Sequence, residues 1–280
     1  MTSTSIYLLI FFAAFLHAVW NLIIKSLDNS LVGIGVKMFF QSIIFAPVIF
    51  FVPLPEGITW FYLICSSLLH SFYFILLGTM YNRVDLSFIY PIARGCAPVF
   101  VTILSLIFLQ EIIPLWGFIG ILIVSLALIL ISMNKFKTKL DIKLIAISIF
   151  IAFIISLYTF TDGSGVRSAK SASTFIVWNF FFGGWISISY VYLTNKKELF
   201  QLKFNKLLLI LSASIISFSA YAIIIWSMKY EPIGFVSSLR ESSIIFASLI
   251  GLLVLKEKVG FTRSISAILF FIGVFFIYNA

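Results

Sequence analysis

Two arginines, Arg94 and Arg240, stand inside runs that are otherwise apolar or small, and Glu241 directly follows the second. A guanidinium in an apolar medium either faces a watery cavity, where it can hold an anionic group, or pairs with carboxylates and helix-end carbonyls. Both readings stay open for Arg94 and Arg240. On a helix Glu241 projects about 100° away from Arg240, which makes it a poor direct partner for that arginine. Tyr90 lies one turn before Arg94, and Trp178 falls mid-run. Each can line a cavity or reach a neighbouring helix with its polar tip. Pro91 and Pro98 free the carbonyls of Ser87 and Arg94, and Gly95 loosens the turn between them. This stretch reads either as a hinge with exposed backbone acceptors or as a kink that shapes packing.

His17 and Asn21 are four residues apart and share a helix face. His17 precedes Lys25 by eight residues and Asp162 precedes Lys170 by eight, so each sits about 12 Å from an interface. Buried His and Asp side chains are the usual carriers of coupling protons. Hydrogen bonding across helices is the plainer alternative for both. His70 ranks below His17, because no polar partner as close as Asn21 shares its face. Glu111 and Glu257 each end an apolar run just before the next one, as carboxylate caps for the following helix.

These residues belong to a chain of 280 residues that is 62% hydrophobic and 10% charged and carries 33 Phe, with mean hydropathy +1.16. Soluble domains are about half apolar and about a quarter charged, so the composition is that of an integral membrane protein. The net charge of +9 gathers in short loops rather than in one patch, which argues against nucleic acid as a partner. Cys65 and Cys96 lie inside apolar runs and read as small core residues. The first run has no basic leader and no small-residue cleavage pattern, so it reads as a retained span.

Apolar runs of about 20 residues, enough to cross the hydrocarbon, fall at 5–25, 31–52, 58–80, 87–109, 114–133, 144–165, 171–194, 205–228, 233–255 and 260–279. The expectation is an all-α membrane protein of ten spans. With the loops numbered alternately, thirteen Lys and Arg residues fall on one side. Only Arg167, Lys170 and Lys229 fall on the other, once Lys37, Arg94 and Arg240 are set aside within spans. The positive-inside rule then puts the heavy side in the cytoplasm and both termini outside.

Arg94 and Arg240 are 146 positions apart, and at that offset Asp85 meets Glu231, Phe100 meets Phe246 and Glu111 meets Glu257. At an offset of 145, His17 meets Asp162 and Lys25 meets Lys170. Two copies follow: 1–133, a basic linker at 134–143, and 144–280. Five spans per copy is an odd number, so the second copy is inverted, and inverted halves can rock around a midplane site. The two arginine positions would then straddle the midplane, about 10 Å apart along the membrane normal. Glu241 has no counterpart, because Gly95 occupies its place. It is therefore the charge suited to a role particular to one half.

The segments "HAVWNLIIK", "IYPIARGCAPVF", "YTFTDGSGVR" and "SSLRESSIIFASLIGLLVLKEK" resemble the EamA-like family of the drug/metabolite transporter superfamily over nearly the whole chain. The resemblance implies two inverted five-helix repeats around a central cavity and alternating-access transport of small metabolites. Family members include exporters of amino acids and related metabolites. The expected partners are a small polar metabolite, the lipid bilayer of a cell (inner or plasma) membrane and a coupling proton or ion. Oligomeric state is left open, and no cofactor or metal is expected.

A flippase of a lipid-linked metabolite is the alternative, and an open channel fits an inverted repeat less well. An enzyme is not expected: there are two histidines, no metal cluster and no G-x-S-x-G. G-x-x-x-x-G-K-S/T is also missing, so the expected driving force is an ion gradient, exchange or the substrate gradient, unless a partner chain supplies ATP.

Overall fold

The computed structural model describes residues 2–80, 86–133, 142–255 and 261–280, and among these no strand occurs. The helices are α1 (Ser3–Lys25), α2 (Ser30–Phe45), α3 (Ile58–Met80), α4 (Leu86–Phe108), α5 (Leu115–Met133) and α6 (Ile142–Ser168). They continue as α7 (Ala172–Thr194), the short α8 (Lys196–Phe200), α9 (Phe204–Ser227), α10 (Ile233–Arg240), α11 (Ser242–Leu255) and α12 (Phe261–Tyr278). Residues 134–141 of the expected linker lie outside the described residues. So do Glu257 and the basic loop residues Arg83, Lys135, Lys137, Lys139, Lys256 and Lys258.

Among the described residues, eight helical stretches are long and apolar enough to cross a membrane, and two shorter apolar helices cover Leu115–Ile131 and Ser264–Tyr278. Large apolar side chains such as Phe12, Phe61, Phe150, Leu193 and Phe275 are exposed, while Lys37, Arg94, Asp162, Arg240 and Glu241 are buried. That is the reverse of a soluble protein, and it suits a solvent of lipid tails, which rewards apolar surface and penalises bare polar groups.

Local chemistry explains several helix ends. Asn29 accepts from the Val32 N–H and caps α2, and Ser171 does the same for α7 through the Thr174 N–H. The second run, expected to be one span to residue 52, is α-helical only to Phe45 and tightens into a 3-10 turn over Pro47–Phe51. Pro47 has no N–H to continue the ladder. The ninth run, expected to be one helix, is interrupted at Glu241. There the Glu241 N–H donates to the Ser238 carbonyl (3.1 Å) and the Ile244 N–H to the Glu241 carbonyl (3.0 Å), both at three-residue spacing. Its repeat mate α4 contains Pro91 and Pro98 yet runs unbroken from Leu86 to Phe108.

Contacts divide the chain into two compact units. The first is Met1–Phe11, Thr79–Phe160 and Tyr230–Ala280; the second is Phe12–Gly78 and Thr161–Lys229. Each unit therefore draws on both halves of the sequence, and in each, corresponding helices of the two halves pack together. In the first unit these are α5 and α12. A Cβ on Gly120 would lie 2.7 Å from the Gly273 carbonyl oxygen, and one on Gly273 would lie 2.8 Å from that of Gly120. In the second they are α2 and α7, where a Cβ on Gly184 would collide with the Met38 carbonyl oxygen. Ser42 stitches this pair, accepting from the Gly184 N–H (2.9 Å) and donating to the Phe180 carbonyl (3.0 Å). Apolar association gains little between helices in lipid, so backbone approach through small residues carries the packing.

Gly120→Val is accordingly expected to destabilise the detergent-solubilised protein by about 1–3 kcal/mol through overpacking, read as a fall in melting temperature. Gly183→Ala is the control, because a Cβ there meets nothing within 4 Å. An equal effect of both variants would contradict the close α5–α12 contact.

Arg167, Lys170 and Lys229 are held locally within the second unit. Arg167 Nε donates to the Met228 carbonyl (2.8 Å) and Lys229 Nζ to the Ala169 carbonyl (3.3 Å), both at helix ends where a cation complements the dipole. Lys170 pairs with Glu56 in an exposed contact.

Candidate functional site

Each unit holds its own buried polar cluster. In the first, α4 carries Tyr90 and Arg94, α10 ends at Arg240, Glu241 occupies the interruption and Ser243 opens α11. Arg94 Nε donates to Glu241 Oε2 at 2.6 Å, and Arg94 Nη2 donates to Ser243 Oγ at 3.3 Å. Arg240 Nη2 stands 3.5 Å from Glu241 Oε1. The Arg94 guanidinium also lies over the Tyr90 ring, 5.6 Å from its centroid. Tyr158 of α6 is close enough to share the field of Arg94, Arg240 and Glu241. One fully buried carboxylate thus bridges two buried guanidiniums.

This overturns the reading of Glu241 as a poor partner for Arg240. Glu241 keeps a right-handed helical conformation (φ −66°, ψ −12°), so the two residues still project apart, and it is the length of the Arg240 side chain that brings its Nη2 to 3.5 Å from Oε1. The two arginine side chains converge on one carboxylate. A Glu111 cap is present but on another helix: both its oxygens accept the Ile233 N–H (3.2 and 3.3 Å) at the start of α10, 122 residues away. Pro232, the N-cap of α10, supplies no side-chain acceptor, and the carboxylate fills that role.

In the second unit the centre is Asp162 on α6, fully buried. Ser66 Oγ of α3 donates to its Oδ1 and Tyr221 of α9 donates to its Oδ2, each at 2.5 Å. Asn179 Nδ2 of α7 lies 3.4 Å from Oδ1, and His70 Nε2 of α3 lies 3.7 Å from Oδ2. The His70 tautomer follows from its other nitrogen. Nδ1 is 3.0 Å from the Ser66 carbonyl oxygen, which only accepts, so Nδ1 carries a proton. In the neutral ring Nε2 is then an acceptor, 3.7 Å from an oxygen of the carboxylate. One further proton, on Nε2 or on Asp162, turns the repulsion of two acceptors into attraction.

A third group of polar residues lies along α2 and α9. Lys37 Nζ donates to Ser217 Oγ (2.9 Å) and sits over the Trp20 ring, 4.4 Å from its centroid. One turn on, Gln41 Nε2 donates to the Ser214 carbonyl (2.9 Å), and Ser214 Oγ donates to the Lys37 carbonyl (3.2 Å). His17 stands edge-on to Trp20 with centroids 5.0 Å apart, and Asn21 Nδ2 donates to the His17 carbonyl at 2.8 Å. Trp178 packs among aromatics, 5.3 Å from Trp60 and 5.7 Å from Phe182.

The structure thus puts Arg94, Arg240, Glu241, Tyr90, Pro91, Gly95 and Pro98 in the first unit, and His17, Asn21, Asp162 and Trp178 in the second. His70 does have a polar partner on its own helix, Ser66 four residues before it, contrary to the expectation. Sequence reasoning set Lys37 aside, although Lys37 and Gln41 are a polar i,i+4 pair in an apolar run. Ser214, Ser217 and Tyr221 form a stripe at spacing three and four on α9, the signal that connects Lys37 with Asp162. Among the described residues no group of three or more His, Cys, Asp or Glu is placed to hold a metal ion.

Comparison with known proteins adds the following. No curated protein sequence matches significantly. A solved structure described only as "Crystal structure of protein" superposes with a TM-score of 0.76 at 12% identity, covering 99% of this chain and 98% of that one. At that identity the likeness is one of fold. The sequence model of the EamA-like transporter family matches residues 4–133 and 142–279, once for each half of the chain. With its apolar helices and doubled match, the chain is a multi-pass membrane protein that belongs to the EamA-like transporter family of the drug/metabolite transporter superfamily.

Proposed function

We propose that the chain is a secondary transporter of a small polar metabolite, that it works by alternating access of two inverted repeats, and that the His70–Asp162 pair carries a coupling proton. The observation that carries this reading is Asp162. A carboxylate this deeply buried in a span is costly unless it has work to do. Titratable groups facing it include His70 of α3 and Tyr221 of α9, and Ser66 and Asn179 add hydrogen-bonding contacts. Loading one proton changes the sign of the His70–Asp162 contact, and that provides a two-state element that a proton gradient can bias.

At Glu241, between α10 and α11, three-residue spacing replaces the four-residue ladder, and such a local tightening often marks a functional hinge. Arg94, Arg240 and Glu241 serve in this reading as a buried latch that regroups between states, and the Pro91–Gly95–Pro98 stretch as a hinge. Export is the direction suggested by the family resemblance. The proposed setting is a cell membrane, with the basic loops cytoplasmic and both termini outside. A cytoplasmic readout from a C-terminal reporter fusion would refute that orientation.

The test is reconstitution into proteoliposomes with an imposed pH gradient and a panel of small metabolites. Saturable accumulation of one of them, abolished by a protonophore, is expected. Flux that never saturates would indicate a channel, and movement of labelled lipid between leaflets would indicate a flippase.

A further inference from the structure

We propose that Lys37, Trp20 and Ser217 form a carboxylate-binding subsite in the second unit, so that the transported metabolite is an organic acid or a zwitterion. This rests on the transporter reading above and adds the class of substrate. The buried charged side chains described are Lys37, Arg94, Asp162, Glu231, Arg240 and Glu241. Arg94 and Arg240 share Glu241, Asp162 has His70, and Glu231 accepts from the Tyr7 hydroxyl at 3.4 Å. For Lys37, no carboxylate among the described residues comes within ion-pair distance. Its contacts are a neutral hydroxyl and a ring face. A buried ammonium in such company is a costly arrangement that a ligand anion relieves.

A second observation points the same way. The Trp20 Nε1–H is buried and meets no acceptor, and an indole nitrogen is a donor only. Ser217 accepts from Lys37, which leaves its own hydroxyl proton to give. The ammonium has three N–H donors and uses one on Ser217. An unsatisfied donor thus belongs to the same residue whose ring face the ammonium occupies. The complementary group is an anion with two oxygens, each able to accept more than one bond, and a carboxylate has that form. The other polar groups nearby are already committed: Gln41 to Ser214, and Asn21 to the His17 carbonyl. Ser217 and Tyr221 lie on one face of α9, about 6 Å apart along its axis, and Tyr221 donates to Asp162. The proposed anion subsite is thus one helical turn from the tyrosine that donates to Asp162 of the proposed proton carrier.

The experiment uses benzoate and its uncharged isostere benzamide as probes of the full-length protein in nanodiscs. Binding is followed by calorimetric titration and by the shift in melting temperature. Wild type is expected to bind benzoate at least about tenfold more tightly than benzamide, as for a hydrogen-bonded charge. Lys37→Met should remove that preference without loss of fold, because it exchanges an unpaired buried cation for an apolar chain of similar length. Its melting temperature should equal or exceed that of wild type. Trp20→Phe keeps the ring face but not the N–H, and should weaken benzoate binding and leave benzamide unaffected.

Equal binding of the two probes, no benzoate binding at all, or an unchanged preference in Lys37→Met overturns the proposal. The transporter reading fails separately. Saturable flux with no preference for acids sinks the subsite alone, whereas benzoate binding at Lys37 with no saturable flux of any metabolite sinks transport alone.

Discussion

Glu241→Gln is expected to cost the protein about 3–5 kcal/mol of stability, the usual penalty for removing one partner of a buried ion pair, and to abolish transport. Glu241 is fully buried, and both its oxygens face guanidiniums, Arg94 at 2.6 Å and Arg240 at 3.5 Å. An amide has one acceptor oxygen and one donor nitrogen, so Gln turns an N–H towards one of two cations that need an acceptor. The cost comes chiefly from the charge left behind, not from the contact that is lost.

A double variant provides the check. Adding Arg94→Met to Glu241→Gln removes the more closely held cation, and it should recover about 1–3 kcal/mol of the loss if the two residues interact directly. Melting curves of the four proteins in one detergent give the coupling energy. Strict additivity of the two single changes would mean that the bridge does not hold α4 to the α10–α11 junction. Arg94→Lys should behave as a partial loss, because a lysine cannot reach Glu241 and Ser243 through separate nitrogens as Arg94 does.

Asp162→Asn is expected to eliminate accumulation driven by a pH gradient while leaving exchange of substrate across the membrane. Asn preserves the shape of Asp but not its proton chemistry. Ser66 and Tyr221 both donate to Asp162, and one of them would instead meet an amide N–H2, so a modest loss of stability accompanies the functional change. His70→Gln removes the other proton site and should give the same separation: counterflow retained, gradient-driven uptake lost, and a flattened pH profile. The two readouts distinguish coupling from architecture, because a misfolded variant loses both. Accumulation by Asp162→Asn that is still abolished by a protonophore would rule out this pair as the proton carrier.

Much of the fold was legible because membrane helices announce themselves by length and composition. The expected edges of α3, α7 and α9 lie within a few residues of those observed. The second and ninth runs also kept nearly their expected bounds, Ser30–Phe51 and Ile233–Leu252, but the local backbone events inside them were not legible. Pro47 tightened the end of the second run into a 3-10 turn, and the ninth narrows to three-residue spacing at Glu241 without any proline or glycine to signal it. The paired prolines of α4 gave the stronger sequence signal but left that helix continuous. In a span, neighbouring helices re-satisfy freed carbonyls, so a proline need not end a helix.

The candidate clusters were legible only in part. The rarity of intramembrane charge marked Arg94, Arg240, Glu241 and Asp162, since any such residue must be either paired or functional. Periodicity relates residues on one helix, and the partners that matter here lie on different helices. His70 meets Asp162 across 92 positions, and Arg94 meets Glu241 across 147.

By itself the sequence determined the class of protein, the doubled arrangement of its chain and its family, because these depend on composition, on the count of apolar runs and on aligned motifs. Only the tertiary structure decided how the buried charges are distributed: one carboxylate between two arginines, a histidine beside an aspartate, and a lysine beside neutral groups. The reason is physical. In lipid a polar side chain has no water to fall back on, so its energy depends on which groups the packing of separate helices brings within about 3 Å.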